Sequence, residues 1–239
     1  MWLAIETSSD RASVAAGHPG VVLSEAAIEG ARRHAAALPG LIERVLAEAG
    51  ATLAEVAVVL LGDGPGSFTG LRVGASVGKA LARARGLSLR SAPALSAVAW
   101  AAAPGPDDRV LAVANALRGE LYAAEYRFPA GRVEVLQAPA VWLPERLLAD
   151  CPVPDLVAGT IPEGLAERLA EWQAGRHPRQ VPAVATAGGL LALAAREGGV
   201  TPIADVAGWE PTYGRPAEAQ AKWEREHGRS IPDSPGTFR

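Results

Sequence analysis

The spacing of apolar residues changes repeatedly along the chain, and the elements follow from those changes. Residues 2–7, 12–17 and 21–28 run apolar or alternate over strand length, with turn residues Ser8-Ser9-Asp10 and His18-Pro19-Gly20 between them. They predict three consecutive strands. Over residues 31–49 the period becomes three and four, with Leu38, Leu41, Ile42, Val45 and Leu46 on one side and Arg32, Arg33, Glu43, Arg44 and Glu48 elsewhere. This is an amphipathic helix capped by Gly50, and Pro39 predicts either a start near Leu38 or a kink. Thr52 and Glu55 have capping-box spacing over one turn.

Residues 56–61 form an unbroken aliphatic run that predicts a strand covered on both faces. Gly62, Gly64, Pro65 and Gly66 stop it, and Ser67 or Thr69 can cap the helix that follows to about residue 85. That helix sets four cations, Arg72, Lys79, Arg83 and Arg85, against Leu71, Val73, Val77, Ala80 and Leu81. It is too apolar to lie on a surface with one wet side. A strand at 87–92 and a helix at 94–103 lead to the breaker Pro104-Gly105-Pro106.

The order then repeats: strands at 109–115, 120–128 and 132–138, a helix at 143–148, a strand at 156–158, a helix at 162–172, a short strand at 180–183 and an apolar helix to about 197. A last helix is expected at 217–227 and a loose tail from 230. Each half reads βββαβαβα, which predicts an α/β protein of two tandem mixed sheets: an N-terminal lobe over 1–105, a second lobe over 106–229 whose last helix could pack back on the first, and a tail over 230–239.

Composition narrows the function classes. With a net charge of -3 and pI near 5.9, the chain lacks the basic footprint of a protein that grips nucleic acid alone. A single cysteine, Cys151, excludes an internal disulfide and predicts a reducing, cytoplasmic setting. No stretch reads as a signal peptide or a membrane span.

The glycine turn invites comparison with phosphate loops, because free N–H groups at a helix start attract anions. Its spacing fails the Walker pattern, since Gly78-Lys79 is followed by Ala80 and preceded at the required distance by Val73. It fails the dinucleotide pattern too, with Ser67 and Thr69 where a third glycine belongs. A ligand-free turn and an anion contact at Thr7, Gly64 and Gly66 both stay open.

The strings IETSSDRASVA, ARRHAAALPGLIERVL, GDGPGSFTGLRVG, ANALRGELYAAEY and EPTYGR, in this order between residues 2 and 215, resemble the TsaB family of bacterial tRNA-modification subunits, of the actin-like ATPase, Hsp70 and sugar kinase superfamily. The resemblance implies an actin-like (ribonuclease H-like) fold. It further implies an inactive relative of TsaD, the enzyme that transfers threonylcarbamoyl to the adenosine beside the anticodon of ANN-reading tRNAs and holds a metal with His-x-x-x-His. Here His34 is followed by Leu38 where the second histidine would stand, so no metal ligand set and no catalytic residue is expected. The second phosphate hairpin reads Asn115-Ala116-Leu117 where relatives have Asp-Ala-Arg.

As a TsaB-like subunit, the chain is expected to dock TsaD through a helix bundle built on Arg33, His34, Leu38, Leu41, Val45, Leu71, Val73, Gly74, Val77, Gly78 and Leu81, with Gly70, Gly74 and Gly78 admitting a foreign helix. TsaE would join the larger complex, tRNA would be met only through it, and a homodimer would form in isolation. The resemblance implies no tightly bound cofactor and leaves room for ATP or ADP at a shared interface. An actin-like nucleotide hydrolase, a metallopeptidase and a purely structural homodimer are the rival readings.

Overall fold

The computed structural model describes all residues except 31–32, 171, 173–176, 216–226 and 229–239. Its first half runs β1 (Trp2–Glu6), β2 (Arg11–His18), β3 (Val21–Glu29), α1 (His34–Glu48), β4 (Val58–Gly62), α2 (Phe68–Arg85), β5 (Ser88–Ala92) and α3 (Ala94–Ala101). The second runs β6 (Val110–Asn115), β7 (Leu121–Arg127), β8 (Glu134–Trp142), α4 (Pro144–Asp150), β9 (Leu156–Gly159), α5 (Glu163–Ala170), β10 (Arg179–Val181) and α6 (Ala187–Ala194), followed by β11 (Thr201–Ile203).

Both halves build the same sheet. The first has the order β11-β5-β4-β1-β2-β3 and the second β10-β9-β6-β7-β8. In each, the second strand is antiparallel to the first, and the fourth and fifth run parallel to it. The shared topology, with no shared sequence, is what the repeated element order predicted.

Five layers result. α1 and α2 cover the outer face of the first sheet through Leu3, Ile5, Val59, Leu61, Leu38, Leu41 and Val45. α4 and α5 cover the outer face of the second through Leu147, Leu165 and Leu169. Between the sheets lie α3 and α6, which share one core with Ala4, Leu60, Ala112 and Tyr126. Each half lends a helix to the other, since α3 packs on β6, β7 and β9 and α6 on β1 to β4. The breaker at 104–106 lies in a loop, but the second half is not confined to its own sheet. β11, which carries no strand-like period and has Pro202 at its centre, also crosses back to pair with β5. The expected helix at 217–227 and the tail from 230 lie outside the described residues, apart from His227 and Gly228.

Helix α1 starts at His34 and continues through Pro39, an exposed position where the missing N–H is offset by solvent access. The Thr52–Glu55 capping box forms as its spacing requires, with Glu55 Oε2 accepting from Thr52 N at 2.8 Å.

Candidate docking site

Helix α2 begins at Ser67, whose hydroxyl accepts from Gly70 N at 3.2 Å, and ends at Gly86 with φ 64°. Its glycines decide how it sits. A β-carbon on Gly70 would collide with the Thr7 carbonyl oxygen and one on Gly74 with Thr7 Oγ1, while on Gly78 it would come 2.7 Å from Leu61 Cδ2. The stripe therefore faces the chain's own sheet. This corrects the expectation that Gly70, Gly74 and Gly78 admit a foreign helix. Gly74→Ala is expected to cost about 2 kcal/mol or more of stability through overpacking. A urea midpoint equal to wild type would show that the stripe is slack.

The other expected docking residues divide the same way. His34, Leu38, Leu41, Val45 and Leu71 are buried in the chain's own core, and at the surface stand Arg33, exposed, with Val73, Val77 and Leu81, half-buried. The outward face of the pair is made instead by Ala36, Gly40, Glu43 and Ala47 on α1 and by Thr69, Arg72, Ser76 and Ala80 on α2. Sequence reasoning missed these positions because it ranked residues by hydrophobicity. On α2, Arg72, Ser76 and Ala80 are legible once the glycine stripe is assigned inward, since each lies two residues, about half a turn, from a stripe glycine.

The glycine turn is filled by the chain itself. Ser67 N donates to Ser8 O at 2.7 Å, and Thr212 N donates to Asp63 O at 2.7 Å. The space over Gly64, where φ is 96°, holds the Thr212 carbonyl oxygen, and the space beside Gly66 holds Ser8. Thr7, the third residue of that weak anion set, is buried under α2. The residues around Tyr213 form a strap across this turn. Tyr122 donates its hydroxyl to Tyr213 O at 3.1 Å, the Tyr213 ring lies 4.6 Å from that of Phe68, and Arg215 pairs with Glu120. A second anion-ready place, the start of α6 at Gly188-Gly189, is spent as well: Ala187 N donates to Ser13 Oγ at 2.8 Å and Gly188 N to Glu25 Oε1 at 3.1 Å.

The carboxyl groups at the ends of β1 and β4 are largely withdrawn from water. Glu6 is fully buried, accepts from Ser8 N at 2.6 Å through Oε1, and leaves Oε2 without a partner. Burial pushes its carboxyl above the ordinary range. Desolvation pushes Asp63 up to about 7, with the Glu6 charge adding to the effect and the Ser91 hydroxyl opposing it. The Cys151 thiol, buried at 5% exposure beside Gln137, is pushed up by desolvation and is unsuited to nucleophilic work.

The histidine pair of a TsaD-type metal centre does not fit here. Leu38 fills the second position at 0% exposure, and His34 turns Nε2 to Asp10 O at 3.1 Å. Among the described residues no group of three His, Cys, Asp or Glu side chains could hold a metal ion, and no described helix is long and apolar enough to cross a membrane.

Two sheets of one topology, exchanging helices across a central layer, define an actin-like α/β protein. The family model described as "TsaD: tRNA N6-adenosine threonylcarbamoyltransferase" matches residues 4–197, and the chain belongs to that family. It is 32% identical to the tRNA threonylcarbamoyladenosine biosynthesis protein TsaB of Escherichia coli over 52% of this chain and 54% of that protein, so it spans about half that relative's length. To the protein of the same name from Bacillus subtilis it is 26% identical over 92% of this chain and 96% of the other. Among solved structures, YeaZ from Pseudomonas aeruginosa superposes with a TM-score of 0.69 at 31% identity, covering 81% of this chain and 89% of that one.

Proposed function

We propose that this chain is a non-catalytic subunit that binds and positions TsaD in the complex placing threonylcarbamoyl on the adenosine beside the anticodon of ANN-reading tRNAs. The observation that carries the reading is the outward face of α1 and α2, where exposed Ala36, Gly40, Ser76 and Ala80 flank half-buried Val73, Val77 and Leu81. Small and apolar positions interspersed with charged ones such as Glu43 and Arg72 suit close packing against a second helix pair with polar contacts at its rim. An interface of ordinary size would remove about 800 Å² from each partner. The absence of catalysis is supported by the use of Gly64, Gly188 and His34 for the chain's own contacts.

The small ATPase TsaE joins the assembly, tRNA is met through the complex, and a nucleotide would have to lie between chains because the turn within this one is filled. In isolation the same face closes on a second copy. All of this takes place in the cytoplasm. Mixing the purified chain with TsaD should give a heterodimer on a sizing column, and threonylcarbamoyl transfer to tRNA should depend on adding the chain. Two separate peaks, or transfer at full rate without it, would overturn the proposal.

A further inference from the structure

Arg72 stands on the outward edge of α2, exposed, with its guanidinium carbon 4.2 Å from the centroid of the Phe68 ring and 5.8 Å from that of Tyr213. The platform beneath it is rigid. Phe68 is fixed in the first turn of α2, and Tyr213, at 4% exposure, is held by the Tyr122 hydroxyl on its carbonyl and by its own hydroxyl, which donates to Glu210 Oε2 at 2.9 Å. No described carboxylate forms an ion pair with Arg72, and Glu210, which shares Tyr213 with it, is taken up by Lys79 at 3.4 Å. The helix carries Arg72, Lys79, Arg83 and Arg85 and no acidic residue in its 18 residues.

A planar cation laid flat on aromatic rings has already lost much of its rotamer freedom, and its remaining N–H donors form a fork that matches a carboxylate. From this we infer that Arg72 is an anchor for an acidic side chain presented by the partner protein at the docking face. The inference rests on the proposed function and names the chemistry of its contact. Val73, Ser76, Val77 and Ala80 beside Arg72 are apolar or small, and Lys79, on the same side of α2 as Arg72, is already paired with Glu210, which favours one acidic side chain over a polyanion such as RNA.

The test titrates TsaD with wild type, Arg72→Ala and Arg72→Lys at about 50 and about 500 mM NaCl, with a melting curve for each chain alone. Loss of a desolvated anchor should weaken the heterodimer by about tenfold or more in Arg72→Ala, with lysine recovering less than half of that loss on a logarithmic scale. Wild type should lose more affinity with salt than Arg72→Ala does. Melting temperatures should stay close together, because the side chain is exposed. A Kd within about twofold of wild type for Arg72→Ala, or full recovery by lysine, overturns the anchor while leaving the docking proposal standing. Lost tRNA retention with an intact heterodimer overturns it in favour of a phosphate. Wild type that binds no TsaD at low salt overturns both.

Discussion

Val77→Arg is expected to abolish the complex with TsaD while the isolated chain stays folded. Val77 is half-buried on the flank of α2, between its exposed edge and the core shared with α1. In the lone chain an arginine there can run its stem along the helix and leave its head in water. Under a partner helix the same head would lose its water with no carboxylate prepared for it. An unpaired buried charge costs about 3 kcal/mol or more, which is a loss of at least about 100-fold in Kd. A melting curve within a few degrees of wild type, with no heterodimer on a sizing column, is the expected pair of results. Val45→Arg makes the contrast, because Val45 has 0% exposure and its charge would enter the core of the chain itself. Binding of Val77→Arg with unchanged affinity would place the docking face elsewhere.

The strand meander, the two long helices and the repeat were legible because each rests on a period of apolar residues that survives burial. The orientation of α2 was not. Gly70, Gly74 and Gly78 lie on one side of a helix, but an absent β-carbon admits the chain's own strand as readily as a foreign helix, and only Thr7 and Leu61 beneath it resolve the choice. The exchange of α3 and α6 was hidden for a related reason. Both helices are apolar on nearly every side, so no polar face indicates which sheet they belong to. β11 escaped because three residues around Pro202 carry no period, and its pairing depends on an edge that β5 leaves open. The strap at Thr212 and Tyr213 belongs to a string that the family resemblance had already picked out, yet its place over the glycine turn comes from contacts some 150 residues apart in sequence.

Stability should fall as pH rises from about 4 to about 7, and Asp63→Asn should remove much of that slope. A single aspartate in a glycine turn reads as a solvated residue, but here burial at the end of β4 lifts its carboxyl from 3.8 to about 7. Below pH 3.8 both the folded and the unfolded chain hold this proton, so the group does not discriminate between them. Between the two values the folded state retains a proton that the unfolded state has released. Stability therefore declines with rising pH across that window, and above it the loss is complete. At about 1.4 kcal/mol per pH unit the upper bound is on the order of 4 kcal/mol, reduced by the partial opening of Asp63 to solvent. Glu6 contributes in the same direction, since its carboxyl is also raised and Oε2 has no partner. Asparagine keeps an acceptor for the Ser91 hydroxyl and carries no charge at any of these pH values. At pH about 8 its urea midpoint should exceed that of wild type, and by pH about 4 most of the difference should be gone. Parallel midpoint curves for the two chains, or a wild type that gains stability between pH 5 and pH 8, would show that Asp63 meets enough water to ionise freely.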